Sequence, residues 1–330
     1  MSFLIALFCN STPRLADPRQ SSRTARALKI AALVGMSLYG DRAFAQDLSP
    51  GPLECPPSPG ECCCCPSISD QTLCGPQTLF QWCGGDVVDE AATRGPLSTD
   101  RPDFTESATT VGRGIRQLEM GYTYAYDDEG GVSSVGHSYP EALFRFSAFA
   151  EWLEFRVAYN YGSLREGGNP TVAGSEDLYL GAKVWLAPQC GILPSVVIMP
   201  QMTVPTGSQA FTADKVLPGV NLLYAWDISE FLSMAGSTQV NAAVDDTGSD
   251  YAEFAQSWTI GYGLSEKVGA FTEWYVLVPS GADTARTEHY LDAGFTYLVS
   301  DDLQLDIRIG KGVSGAATDY FAGSGLSVRF

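Results

Sequence analysis

The sequence predicts an all-β protein: an up-and-down antiparallel transmembrane β-barrel of about twelve strands, preceded by a Cys/Pro-rich irregular segment. Between residues 115 and 330, apolar and polar side chains alternate with the period of a strand that has two different faces. The longest apolar run, Ile30 to Leu38, spans nine residues, whereas a transmembrane helix needs about 20. Charged residues make up 18% and hydrophobic residues 45% of the 330 residues, as expected when one strand face meets lipid.

The N-terminus has the pattern of an export signal. Three basic residues (Arg23, Arg26 and Lys29) precede the apolar stretch 30–39, and an A-x-A cleavage sequence follows at 43–45. We therefore expect residues 1–45 to be a signal peptide with its lead-in, removed on export. The alternative is a buried N-terminal helix.

Residues 46–96 form a Cys/Pro-rich segment that we place in the periplasm. Seven of the nine cysteines lie between Cys55 and Cys83, among prolines that disfavour helix and strand. Disulfides or a passive linker are favoured over a metal site. Four consecutive cysteines lack the C-x₂-C spacing of zinc sites, and no histidine lies nearby. No metal site and no cofactor is predicted for the chain.

The body of the chain contains the alternating segments. They are 115–126, 139–149, 153–161, 176–186, 194–205, 217–226, 231–244, 251–264, 268–279, 288–298, 303–311 and 319–330. The connections after odd-numbered segments are long and polar, for instance 127–138 and 162–175, whereas most connections after even-numbered ones are short. This pattern is typical of an antiparallel meander.

The apolar face of the barrel is predicted to point outward. Twelve strands around an apolar interior would enclose a void that side chains cannot fill. The candidate lumen-lining residues are Glu119, Glu141, Arg145, Glu154, Arg156, Lys183, Glu253, Glu273, Asp292, Asp306, Arg308 and Arg329. Seven are acidic and five basic, so we expect a nearly balanced lumen with at most a mild cation preference. Alternatively, these charges form salt bridges that fill a narrow barrel and conduct nothing.

The chain ends in Phe330, with Leu326 and Val328 at alternate positions before it. This ending resembles the C-terminal strand of bacterial outer-membrane proteins, which the barrel-assembly machinery recognises. The expected surroundings are therefore outer-membrane lipid and lipopolysaccharide. A formal net charge of −18 argues against a nucleic-acid partner.

The segment before the first strand carries a family resemblance. It contains Thr99, Asp100, Arg101, Pro102, Asp103 and Phe104, and a Gln-Leu-Glu-Met-Gly strand starts at Gln117. Over residues 97–330 the chain resembles the outer-membrane family named for the "MetA pathway of phenol degradation". Its members begin the barrel with T-D-R-P-D-F-T and a Q-L-E-x-G strand. The resemblance implies an outer-membrane barrel with a transport role, and no catalytic residues.

Residues 97–114 also suggest a plug. One hypothesis is that this segment enters the periplasmic mouth of the barrel, where Arg101 pairs with a lumen carboxylate such as Glu119 or Glu273. The alternative is a solvated lead-in that only positions the first strand.

Three functions follow from these patterns. The favoured one is passage of a small solute through the polar lumen. The second is a structural or binding barrel whose Cys-rich tail binds metal or an envelope partner. The least favoured is a hydrolase using His137 and His289, and we expect no enzyme. The acidic stretches 127–129, 176–177 and 245–246 are interpreted as solvated loops, with divalent-cation binding as the alternative.

Overall fold

The computed structural model describes residues 78–79, 95–245 and 247–330. The predicted signal peptide (1–45) and almost all of the Cys-rich segment (46–96) lie outside these residues, as does Asp246. No helix in the described ranges is both long enough and apolar enough to cross a membrane.

The described chain forms thirteen antiparallel strands. Their bounds are Arg116–Glu129 (β1), Val132–Ala150 (β2), Leu153–Glu166 (β3), Val172–Ser175 (β4), Leu178–Ala187 (β5), Ser195–Val204 (β6), Leu217–Ser229 (β7), Leu232–Val244 (β8), Asp250–Gly263 (β9), Val268–Ser280 (β10), Glu288–Ser300 (β11), Leu303–Gly312 (β12) and Tyr320–Arg329 (β13).

Pairing between the first and last strands closes the sheet into a barrel. β1 pairs with both β2 and β13, and the remaining strands pair in chain order around the ring. β4 and β5 both pair with β3, so together they occupy one strand position in the barrel. The barrel therefore has twelve strand positions, which confirms the predicted fold.

The two faces of the strands differ as the alternation predicts. In β9, Tyr251, Glu253 and Ala255 are buried inside the barrel, whereas Phe254 and Trp258 are 47% and 39% exposed. Other large apolar side chains share the exposed outer face; they include Leu222, Ile260, Leu291, Phe295, Tyr297, Leu305, Ile307 and Ile309. An apolar outer surface around a polar interior is the arrangement of a membrane barrel.

Two predicted loops are strand instead. The predicted loop 127–138 is wrong, because β1 continues to Glu129 and β2 begins at Val132. Gly130 and Gly131 connect them with φ of +62° and +85°. A two-residue turn with positive φ at both positions matches the twist of a β-hairpin, and glycine adopts it without strain. The predicted loop 162–175 contains the end of β3 and all of β4.

Candidate functional site

The interior of the barrel is occupied by residues 97–114, called the inserted segment below. It enters at the end that carries most of the tight turns (the Gly130-Gly131 turn lies at the opposite end), since the Leu97 N–H donates to the Asp301 carbonyl at 2.8 Å. It leaves at the same end, where the Gly114 N–H donates to the Ser147 carbonyl at 2.7 Å. Between these points it reaches mid-barrel, and Phe104 stacks on Tyr275 with ring centroids 4.3 Å apart.

Three cations from the barrel wall converge on Asp100 of the inserted segment. Lys183 Nζ lies 2.7 Å from Asp100 Oδ1, while Arg156 Nη2 and Arg145 Nε lie 3.0 and 3.3 Å from Oδ2. The N–H and hydroxyl of Ser107 donate to Oδ1 as well. All three cations are buried. Their attraction to Asp100 therefore acts with little solvent screening.

Further carboxylates, from the barrel wall and from the inserted segment, form ion pairs with the same two arginines. Arg145 Nη1 lies 2.8 Å from Glu119 Oε1, and its Nε lies 2.9 Å from Glu154 Oε1. Arg156 pairs at 2.8 Å with Glu106 of the inserted segment. These contacts, with Asp100 and Lys183, make a buried network, called the Asp100 network below. It links the inserted segment to β1, β2, β3 and β5.

Arg101 makes a second anchor, with different partners from those predicted. Its Nη1 lies 2.7 Å from Glu141 Oε2, and its Nε lies 3.3 Å from Asp306 Oδ2. The expected pairing with Glu119 or Glu273 is wrong. Glu119 accepts the Asp100 N–H, and Glu273 accepts the N–H groups of Phe104 and Thr105. Both carboxylates hold the inserted segment, but through its backbone.

A pair of glycines makes room for the Arg101 guanidinium. Gly121 of β1 lies opposite Gly325 of β13. A Cβ would lie 2.2 Å from the guanidinium at Gly121 and 2.3 Å from it at Gly325. Glycine inside a strand commonly marks a close approach of other groups, so these two positions carry a sequence signal that the alternation analysis missed.

The connection between β6 and β7 covers the inserted segment from the other end. Phe211 is buried in the same apolar cluster as Phe104. The N–H groups of Gly207 and Ala213 donate to Asp177 at 2.8 and 3.0 Å. Asp177 and Glu176 are each 1% exposed, so their assignment to a solvated loop is wrong. The break between β4 and β5 turns both carboxylates inward.

The predicted lumen residues lie in two places. Eleven face the interior and are at most 6% exposed: Glu119, Glu141, Arg145, Glu154, Arg156, Lys183, Glu253, Glu273, Asp292, Asp306 and Arg308. The twelfth, Arg329, lies at the rim, with its Nε 2.6 Å from Asp302 Oδ1. The inserted segment contacts eight of the eleven side chains directly, namely Glu119, Glu141, Arg145, Glu154, Arg156, Lys183, Glu273 and Asp306.

The buried charges are far from balanced, which corrects the expectation of a nearly neutral lumen. Among the described residues, fourteen acidic and five basic side chains are buried. The additional carboxylates come from the inserted segment, the β4–β5 break, the loops and the start of β11. They are Asp100, Asp103, Glu106, Glu176, Asp177, Asp245 and Glu288. The predicted lumen set left these out because four of them lie outside the predicted strands, while Glu176, Asp177 and Glu288 are the first residues of predicted strands and were not assigned to the inner face.

The two histidines considered for catalysis lie on the outer face of the barrel wall, away from the hydroxyl of Ser138 and the carboxylate of Asp292. His137 Nδ1 lies 2.8 Å from the Tyr122 hydroxyl on the outer face, and the His289 ring lies 6.0 Å from Trp274. Ser138 and Asp292 are buried inside. A nucleophile needs its base within hydrogen-bond reach. In the described part of the chain, no three or more Asp, Glu, His or Cys residues are grouped to hold a metal ion.

Comparison with solved structures shows the same fold in an outer-membrane protein. The COG4313 outer membrane channel from Pseudomonas putida F1 matches with a TM-score of 0.52 and 11% identity, over 68% of this chain and 98% of that chain. A KdgM porin in complex with disordered oligogalacturonate matches at 0.44 and 9%, over 64% and 99%. The NanC porin matches at 0.41 and 10%, over 65% and 100%. No curated protein matches the sequence.

A family model supplies the remaining comparison. The model described as "Putative MetA-pathway of phenol degradation" matches residues 99–330. Its match begins at Thr99, inside the segment that occupies the barrel, and continues to the last residue of the chain. It covers well over half of the sequence, and the chain therefore belongs to this family.

Proposed function

We propose that this protein is an outer-membrane channel that passes a small solute through the barrel interior, and that the inserted segment limits the passage. The observation that carries the proposal is the chemistry of the interior. Among the described residues, fourteen carboxylates and five cations are buried behind an apolar outer face, and most of them line the interior or occupy it. Charged side chains in an interior can exchange their ion-pair partners for water or a solute. A core with a purely structural role would gain more stability from well-packed apolar side chains than from ion pairs.

The orientation in the membrane follows from the same proposal. The apolar outer face would contact outer-membrane lipid and lipopolysaccharide, and the end with the tight turns would face the periplasm. The inserted segment would then enter from the periplasmic side, where an exported N-terminus remains. Phe330, at the end of the last strand, would present the signal that the barrel-assembly machinery recognises.

A non-conducting barrel is the second candidate, and the Asp100 network favours it. Buried ion pairs can fill a small barrel completely. In that case the inserted segment would be a permanent part of the core. The Cys-rich tail would then be the functional part, binding metal or an envelope partner.

Conductance of the refolded protein in planar bilayers tests the proposal. Arg101→Ala removes the anchor to Glu141 and Asp306, so we expect more frequent or larger openings than in the wild type. Arg165→Ala, at an exposed position in β3, is the matched control and should leave the currents unchanged. Absence of channels in the wild type and in Arg101→Ala would favour the non-conducting barrel.

A further inference from the structure

Glu141 and Glu176 are two buried carboxylates on the strand positions that lie on either side of β3. Glu141 lies in β2, Glu176 lies at the break between β4 and β5, and Asn160 of β3 connects them. Asn160 Nδ2 donates to Glu176 Oε1 at 2.6 Å, and the Glu141 N–H donates to Asn160 Oδ1 at 3.2 Å. Each carboxylate is 1% exposed. Asn160 Nδ2 also donates to Ser138 Oγ at 2.6 Å.

One oxygen of each carboxylate lacks a donor. Among the residues that the structure describes, Glu141 Oε1 and Glu176 Oε2 have no hydrogen-bond partner, although the second oxygen of each group has one. Buried carboxylate oxygens without a donor or a cation are costly and rare. Two of them on side chains that share one amide indicate a place for a positively charged ligand.

The nearby positive charge does not neutralise this pair. Arg101 Nη1 contacts Glu141 Oε2 at 2.7 Å, but the same guanidinium also contacts Asp306. Glu141 and Asp306 therefore share one guanidinium, and no ion pair among the described residues reaches Glu176. Asp177, the neighbour of Glu176, adds a further buried carboxylate. The local charge favours a cation over an anion or a neutral solute.

The backbone of β2 is distorted at the position that supplies Glu141. Its register with β3 shifts between Tyr139 and Ala142, and Glu141 has a φ of +46°. A residue other than glycine rarely adopts this conformation unless its surroundings hold it there. The shift keeps both Ser138 and Glu141 inside the barrel, next to Asn160.

The donor atoms define the class of ligand. Glu141 Oε1, Glu176 Oε2, Ser138 Oγ and Asn160 Oδ1 are all oxygen atoms, which hard divalent cations prefer over nitrogen or sulfur donors. We propose that Glu141 and Glu176 bind Ca²⁺ inside the barrel, with Asn160 and Ser138 completing the site. Two carboxylates make a weak site, so the expected dissociation constant is on the order of 10⁻⁴–10⁻³ M. The proposal does not depend on conduction.

Calorimetric titration of the refolded protein in micelles with CaCl₂ at neutral pH tests the site. The wild type should bind one Ca²⁺ in this range. Glu176→Gln keeps an oxygen that can accept the Asn160 hydrogen bond but removes the negative charge. The affinity for Ca²⁺ should therefore fall by at least about tenfold, because loss of even an outer-shell partner of a bound metal weakens metal binding by about that factor. Glu288→Gln is the matched control, because Glu288 is also buried but accepts the Tyr290 hydroxyl at 2.8 Å, and it should bind like the wild type.

Each outcome of the titration decides the proposal. A wild type without saturable Ca²⁺ binding would overturn it and would mean that the two carboxylates share a proton. Equal losses in Glu176→Gln and Glu288→Gln would also overturn it, since the binding would then follow general charge. Heat-modifiable gel migration checks that each variant is folded. Glu176→Asp, which keeps the negative charge that Glu176→Gln removes, should recover part of the affinity for Ca²⁺. Ca²⁺ binding without channel currents would support this site and contradict the proposed channel.

Discussion

At the scale of single residues, Asp100 holds the inserted segment because one carboxylate receives three buried cations. No pattern of neighbouring residues predicts this, since Lys183 lies 83 residues away in the sequence. The family motif indicates that the residue matters, but only the closed barrel shows what it contacts. The same holds for Arg101 and Asp306, which are 205 residues apart.

Asp100→Asn should destabilise the folded barrel substantially. The variant keeps the shape of the side chain but leaves Arg145, Arg156 and Lys183 with one fewer negative partner. Breaking a buried ion pair costs about 3–5 kcal/mol, whereas an exposed pair contributes about 0–1 kcal/mol. Asp250→Asn, which removes the exposed partner of Lys215, is the control. Equilibrium urea unfolding in micelles measures both. Equal effects of the two substitutions would contradict the importance assigned to Asp100.

At the scale of elements, alternation predicts the strands well but not their ends. In β9 it predicts that Glu253 faces inward, where the structure has it, because a period of two belongs to the strand itself. It fails at 127–138, where polar residues on an extended hairpin look like a loop and Gly130-Gly131 is the real turn. It also fails at Glu176-Asp177, because an inward-facing acidic pair and a solvated one have the same composition.

Asp245 connects two loops at the end of the barrel away from the tight turns. It accepts the N–H groups of Thr247, Ser249 and Asp283 and the Thr247 hydroxyl. Burial alone would raise the pKa of Asp245, but the hydrogen bonds from Thr247, Asp283 and Ser249 hold the pKa below its usual value. A lowered folded-state pKa stabilises the loops above the ordinary Asp pKa of about 3.9. This contribution is lost as the pH falls through the folded value.

Limited proteolysis can detect this loop connection. We expect the connection after β10 to be cleaved faster in Asp245→Asn than in the wild type at neutral pH, because the neutral amide accepts these hydrogen bonds less strongly. An acid-active protease should give the same increase in the wild type once the pH falls through the lowered folded-state pKa of Asp245, which lies below the ordinary Asp value of about 3.9. Asp214→Asn, in the connection between β6 and β7, is the control. Identical cleavage of the three proteins at neutral pH would show that Asp245 does not hold the loops.

At the scale of the whole molecule, the excess of buried carboxylates determines the charge of any solute that passes. The sequence predicts inward charges of both signs, and the structure adds the acidic residues of the inserted segment, the β4–β5 break and the loops. Charged groups that line a narrow path raise the local concentration of the opposite ion. The interior should therefore prefer cations clearly, rather than mildly as the strand residues alone suggest.

Reversal potentials in asymmetric KCl test this preference. When the channel is open, a KCl gradient centred near 0.1 M should give a reversal potential of the sign expected for K⁺ permeation. The preference should weaken near 1 M, since the Debye length falls from about 10 Å to about 3 Å. Glu253→Gln and Glu273→Gln together remove two buried carboxylates and should shift the potential toward zero, whereas Asp250→Asn should not. An anion-selective wild type would contradict the prediction, because fourteen buried carboxylates against five cations leave no electrostatic reason for chloride to enter.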